Sequence, residues 1–159
     1  MDSRLETYNH IQQVISFINE LIIELIYRGI RHDSSKLYEP EKSILDEVLP
    51  KLKDLTYGSD EYKEQLNGLK EMSKHHYEGN RHHPEHFENG IEDMDLVDLC
   101  EMLCDWLAAT QRNKDGNIYK SIEINQQRYK YPDILKNILK NTIDRYFIQP
   151  TIYWNKDDK

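Results

Sequence analysis

Valine, alanine and cysteine are almost missing from this 159-residue chain, which has three valines, two alanines and two cysteines. Scarce valine and the lack of any sustained two-residue alternation argue against strands. Cys100 and Cys104 stand four apart in an apolar-periodic stretch. That spacing puts both on one helix face as small hydrophobes and excludes a disulfide framework or a zinc ribbon. No Lys/Arg block exceeds a pair and the net charge is -8, so general binding to nucleic acid has no electrostatic basis. The longest run without a charged residue near the N-terminus, Ile11 to Asn19, is too short and too polar for a membrane span of about 20 residues. Met1 to Glu6 lack a basic segment leading into an apolar one, so no secretory leader and no membrane association are expected, and a cytoplasmic location is.

Leu, Ile, Val and Phe fill 39 of the 159 positions, enough for a core. They recur at steps of three and four, which predicts an all-α fold: a single compact domain of about six helices over 1–159, with its core at about 3–147 and a polar tail at 150–159. A first helix is expected from near Ser3 to Gly29. A second opens at Pro40 or Glu41, with Pro50 as a kink or break. The third is expected from Ser59 to about His76, with Tyr62, Leu66, Leu69 and Met72 on one face and Gly68 weakening it. An ordered loop follows from Tyr77 to Gly90. A fourth helix, capped by Asp95, runs to Arg112 with Leu96, Leu99, Cys100, Leu103 and Leu107 as its core stripe. Asp115-Gly116 makes a turn, and helices at about 118–130 and 132–146 complete the domain. Tyr129, Tyr131, Tyr146, Phe147, Tyr153 and Trp154 are expected to pack in the core, with self-association into a homo-oligomer as the alternative.

Seven histidines lie between positions 10 and 86, five of them within His75 to His86. Imidazole and carboxylate form a ligand pair that divalent transition metals accept readily, so His32-Asp33 at the end of a long helix is a candidate site. An isolated pair of this kind also suits a helix terminus and a turn. His10 sits at the edge of the apolar stripe of the first helix, which equally suits a hydrogen-bonded core residue. Asp105 shares a face with Asp98, Glu101 and Arg112, the pattern of a solvated face. Its neighbours Ala108 and Ala109 permit close approach of another element. His76 falls on the buried side of the third helix, and His75 on the other side suits an outer contact. Among His82, His83 and His86 periodicity makes no choice.

The ordered series His10, His32-Asp33, a His-rich segment and Asp105 in an all-helical chain resembles the HD-domain superfamily of metal-dependent phosphohydrolases. More narrowly, the stretches from His32 to Leu37, Asn80 to His86 and Leu103 to Ala109 resemble an uncharacterised family of short bacterial and phage proteins. The resemblance implies His10, His32, Asp33 and Asp105 as ligands to one metal, and His76 with His82 or His83 as ligands to a second, with Asp33 bridging. Resembling HD nucleotidases place an acidic residue soon after the His-Asp pair, whereas this chain has Lys36 there, with Glu39 and Glu41 further on.

One or two ions of Mn, Fe, Co, Ni or Zn held by these residues would activate water for attack at phosphorus. Lys36 and Arg81 are expected to orient the phosphate, with Arg112 a more exposed charge. A nucleotide or other small phosphorylated metabolite is the expected substrate. Two alternatives remain: a di-iron oxygenase of the HD type, and a metal-stabilised binding or interaction protein without turnover.

Overall fold

The computed structural model describes residues 3–53, 61, 69–112 and 116–148, without the side chains of 52 and 53. Every regular element among them is helical. Helix α1 (Ser3–Arg31) carries Glu6 in its first turn and Arg28 and Arg31 in its last, matching the charges of the helix dipole. Gly29 does not end it. The helix continues for two residues, because the turn from Arg28 to His32 is held by side-chain ion pairs rather than by local propensity.

Past α1 the chain reverses at Asp33, which has φ 56 and caps a single 3-10 turn at Ser34–Leu37. Asp tolerates this left-handed conformation better than most residues. A cis Glu39-Pro40 bond leads into α2 (Glu41–Lys53), which runs through Pro50 without breaking. The expected third helix is seen as α3 (Lys70–Gly79); its expected start at Ser59, with Tyr62, Leu66 and Gly68, lies outside the described residues. Its end is three residues later than expected, so the loop begins at Asn80 rather than Tyr77. The Asn80 amide explains the extension, since it donates to the His76 carbonyl at 2.7 Å and closes the last turn.

Two 3-10 turns, Pro84–His86 and Gly90–Asp93, give the loop its order. Gly90 stands at φ 62, where a side chain would be strained. Helix α4 (Leu96–Thr110) starts on a capping box: the Asp95 carboxylate accepts from the Val97 and Asp98 amides, and the Asp98 carboxylate accepts from the Asp95 amide. The expected core stripe of α4 is only partly correct. Leu103 is buried, but Leu96 is 72% exposed and Cys100 is exposed, while Val97, Asp98 and Met102 are buried. The turn expected at Asp115-Gly116 involves a position outside the described residues.

Helices α5 (Ile118–Tyr129) and α6 (Asp133–Ile143) pack in sequence on α4, and a π turn at Asp144–Ile148 ends the described chain. Leu103, Ile118, Ile122, Tyr131, Leu139 and Ile143 form the buried core. Trp106 stacks on Tyr129 and Tyr131, so these two tyrosines pack as expected, whereas Tyr146 and Phe147 are exposed. Tyr153 and Trp154 lie outside the described residues. The end of α1 lies against α4, while α2 and the 3-10 turn after α1 lie against α3. No helix among the described residues is long and apolar enough to cross a membrane.

Candidate metal centre

The end of α1, the turn after it, α3, the loop that follows and one face of α4 converge on a cluster of imidazoles and carboxylates. Ring centroids link His32 to His82 at 4.4 Å, His82 to His83 at 4.1 Å and His83 to His76 at 4.9 Å. Such a cluster of basic rings is favourable only if most are neutral or share a cation. Burial, reinforced by His82 and His76, pushes His83 down to about 3, so its ring is held neutral. His32 is pushed the other way, to about 10, first by Asp105 and then by Glu101.

Four atoms face one another at the centre. Asp33 Oδ1, His76 Nε2, His82 Nε2 and His83 Nε2 are all buried and none has a hydrogen-bond partner among the described residues. His76 Nε2 lies 3.1 Å from Asp33 Oδ1, and His82 Nε2 3.5 Å from it, without hydrogen-bond alignment. Each of these four residues offers one ligand atom within 4.8 Å of those of the others. Buried polar atoms are rarely orphaned, and each one left so costs about 1–3 kcal/mol. Four orphans aimed at one point fit a bound cation, and three imidazole nitrogens with one carboxylate oxygen suit a transition metal.

The far side of each ring supports the same reading. Glu41, fully buried at the start of α2, accepts from His76 Nδ1 at 3.0 Å, His75 Nδ1 at 2.8 Å and the Ser35 hydroxyl at 3.0 Å. Glu101 accepts from His32 Nδ1 at 2.9 Å and lies 3.2 Å from His82 Nδ1. A carboxylate on Nδ1 fixes the tautomer and leaves Nε2 free to bind a metal. Burial would raise both carboxyl groups, but their histidine partners, with Ser35 on Glu41 and Arg28 on Glu101, hold them below the ordinary carboxylate range.

A second group adjoins the first. His32, Asp33 and Asp105 also offer ligand atoms within 4.8 Å of one another. His32 Nε2 is 3.5 Å from Asp105 Oδ1 and 3.7 Å from Asp33 Oδ2. Asp33 therefore turns one oxygen to each group, as a bridging carboxylate does. Lys36 Nζ holds Oδ2 at 2.6 Å, and despite burial the His76 and Lys36 contacts keep the Asp33 carboxyl far below its usual range.

Of the residues expected from sequence, His32, Asp33, His76, His82, His83 and Asp105 are brought together. His10 is not. It is exposed on α1, 22 residues before His32 at the end of that helix, about 33 Å away at 1.5 Å per residue. His86 binds the Tyr77 carbonyl through Nδ1, and Glu85 ties the loop to Arg128 and Tyr129 of α5. Glu101 and Glu41 are the residues missed by sequence reasoning. Asp98 is missed too: fully buried, it accepts from Arg28 Nη2 at 2.6 Å and from Arg81 Nε and Nη2 at 3.1 and 2.8 Å. The signal for Asp98 and Glu101 was the stripe of α4 that they share with Asp105, and that for Glu41 its place at the first position of α2.

Cavities open on both sides of the cluster. One, about 330 Å³, is lined by Arg28, Arg31, Arg81, Ser34, Ser35 and Asn80 among others, with His82 and Glu101 at its floor. The other, about 540 Å³, is mainly apolar and reaches His32, Glu101 and Asp105 from the side of Leu25, Leu103 and Phe147. Lys36 and Arg81, expected to orient phosphate, are committed to Asp33 and Asp98, and among the described residues Arg31 is the cation of the smaller cavity without an ion pair. Arg112 is exposed.

The chain matches, over residues 1–146, the family described as a family of unknown function, DUF5662, and belongs to it. No curated protein and no solved structure matches it.

Proposed function

We propose that this member of the DUF5662 family is a metal-dependent phosphohydrolase of the HD type that acts on a nucleotide or another small phosphorylated metabolite. The observation that carries this reading is the set of four buried, unpartnered atoms on Asp33, His76, His82 and His83, which all face one point. These residues would hold one divalent transition metal, and His32, Asp33 and Asp105 a second. A divalent ion there supplies Lewis acidity and an activated water for attack at phosphorus.

The chain's own residues supply the rest. Glu41 and Glu101 fix the imidazoles through Nδ1. The smaller cavity offers arginine, hydroxyl and amide donors to an anion beside His82, a donor set that matches phosphate oxygens. Arg31 is placed to contact it directly, whereas Arg28 and Arg81 keep Asp98 neutralised and shape the wall.

The test is metal analysis of protein purified without added metal or chelator, followed by a panel of phosphomonoesters, phosphodiesters and nucleotides. One or two equivalents of a transition metal together with phosphate release abolished by Asp33→Asn are expected. Failure to retain metal, and to bind it with micromolar affinity on titration, would overturn the proposal. Tight metal binding without turnover on any ester would leave the site as a metal-stabilised binding centre and remove the hydrolase reading.

A further inference from the structure

Helix α1 contains no buried residue although it is 29 residues long, about 43 Å at 1.5 Å per residue. Its apolar residues are not scattered. Tyr8, Ile11, Ile15, Ile18, Ile22 and Leu25 follow alternating steps of three and four, the a and d positions of a heptad, and Val14 and Leu21 widen the stripe at g. The opposite side over the same turns is mainly polar, with Gln12, Gln13, Ser16, Asn19 and Glu20, and carries Phe17 as its one apolar residue before Ile23. Carried on, the stripe reaches Leu25, Arg28, Gly29 and His32, the residues that face α4 across the larger cavity. α4 therefore covers only the last turns of the stripe. Upstream, from Tyr8 to Ile22, the stripe residues are between 40% and 60% exposed, Val14 the least and Tyr8 the most.

We infer that a second copy of this chain covers the stripe, so that the protein is a homodimer paired through α1 at residues 8–22. Three arguments favour a second copy over other occupants. Covering the exposed parts of these seven residues removes on the order of 700 Å² per chain from water, close to the roughly 800 Å² per partner of a stable interface. The chain outside the described residues is poorer in apolar groups: 149–159 offers Ile152, Tyr153 and Trp154, and 54–68 offers Leu55, Tyr57, Tyr62 and Leu66. The polar side of α1 carries Glu6, Glu20 and Glu24 against Arg4, which opposes adsorption on an anionic lipid surface. A helix without tertiary cover would also be marginal, because helical stability in proteins comes mainly from packing of the apolar face. The pairing is independent of the metal centre, since none of the stripe residues from 8 to 22 belongs to it.

Sedimentation equilibrium of the full chain at 1–50 µM tests the inference. The 19.1 kDa chain is expected at twice that mass. Ile15→Glu/Ile18→Glu should return it to the monomer mass with its metal content unchanged, because these side chains are 45% and 49% exposed and neither belongs to the metal-ligand groups. Amide exchange read by mass spectrometry provides a second measurement: residues 8–22 should be protected in the wild type and lose protection on dilution. A wild-type monomer with rapid exchange at 8–22 would overturn the inference. So would a monomer whose protection at 8–22 disappears when 149–159 are deleted, which would assign the cover to the tail. A dimer that survives the double substitution would place the interface elsewhere and equally overturn it, as would a monomer that sediments with anionic vesicles.

Discussion

Glu101 Oε1 accepts from His32 Nδ1 at 2.9 Å, joining α4 to the end of α1 across 69 residues of chain. The same oxygen lies 3.2 Å from His82 Nδ1, so one carboxylate orients two imidazoles that face the proposed metal positions. Glu101 also takes Arg28 Nε at 2.6 Å on its other oxygen, which keeps its own charge compensated.

Replacing Glu101 by Gln should therefore weaken metal binding without removing it. Loss of such a carboxylate behind a ligating histidine typically costs about 10–100-fold in affinity. Competition with a chromophoric chelator should show a drop of that size in Glu101→Gln, with unchanged helical circular dichroism. An affinity equal to that of the wild type would show that Glu101 is only the Arg28 partner.

Asp33 allows the carboxylate to be separated from the backbone. Its φ of 56 is a left-handed conformation that costs an Ala residue roughly 1–2 kcal/mol and Gly almost nothing. Both Asp33→Gly and Asp33→Ala should lose bound metal, as judged by elemental analysis. In the metal-free state, however, Asp33→Gly should be the more stable of the two by about 1 kcal/mol in urea denaturation. Retention of metal by Asp33→Gly would remove Asp33 from both ligand groups.

How far this centre was legible in the sequence depended on where each residue stood. His32, Asp33, His76 and His82 were legible because ligand types gathered at a helix end, on a buried helix face and in a loop without apolar period. Asp98 and Glu101 of α4 were not, and Asp105 entered only through the family resemblance. Periodicity treats the polar stripe of a helix as its wet side, and Asp98, Glu101 and Asp105 obey the spacing of a solvated face while pointing into the molecule. They are tolerated there because arginine and histidine partners arrive from α1 and from the loop at 80–83, contacts 17 to 73 residues away in sequence. His10 failed for the opposite reason: the stripe it borders belongs to the uncovered part of α1. The six helices themselves followed from spacing and caps, with ends shifted by two or three residues, as where the Asn80 amide closes the last turn of α3 on the His76 carbonyl four residues back.

Asp98 is the structural counterpart of the metal centre. Fully buried, it gathers Arg28 of α1 and Arg81 of the loop at the first turn of α4. Removing one member of a buried ion pair costs about 3–5 kcal/mol, less here because the two arginines are 19% and 42% exposed and regain water. Asp98→Ala should thus destabilise the protein by roughly 2–3 kcal/mol, lowering Tm by about 5–10 °C for a chain of this size. Calorimetry checks the magnitude. Metal affinity should fall as well, because Arg81 precedes His82 and the loop loses its anchor.

Tyr131 sets an alkaline limit in the hydrophobic core. It is buried, its hydroxyl donates to the Ile122 carbonyl at 2.6 Å, and burial pushes its pKa up to about 12 from the ordinary value near 10. Above pH 10 the unfolded chain releases this proton while the folded chain keeps it. The stability contributed by the neutral phenol is therefore complete below pH 10 and is lost as pH rises toward 12. Tyr131→Phe should cost about 1 kcal/mol at pH 7 for the lost hydrogen bond. The gap between the two proteins should then close, as followed by urea denaturation at pH 7, 9, 10 and 11. If instead the gap stays constant across that range, Tyr131 ionises alike in both states and its burial has no part in the alkaline limit.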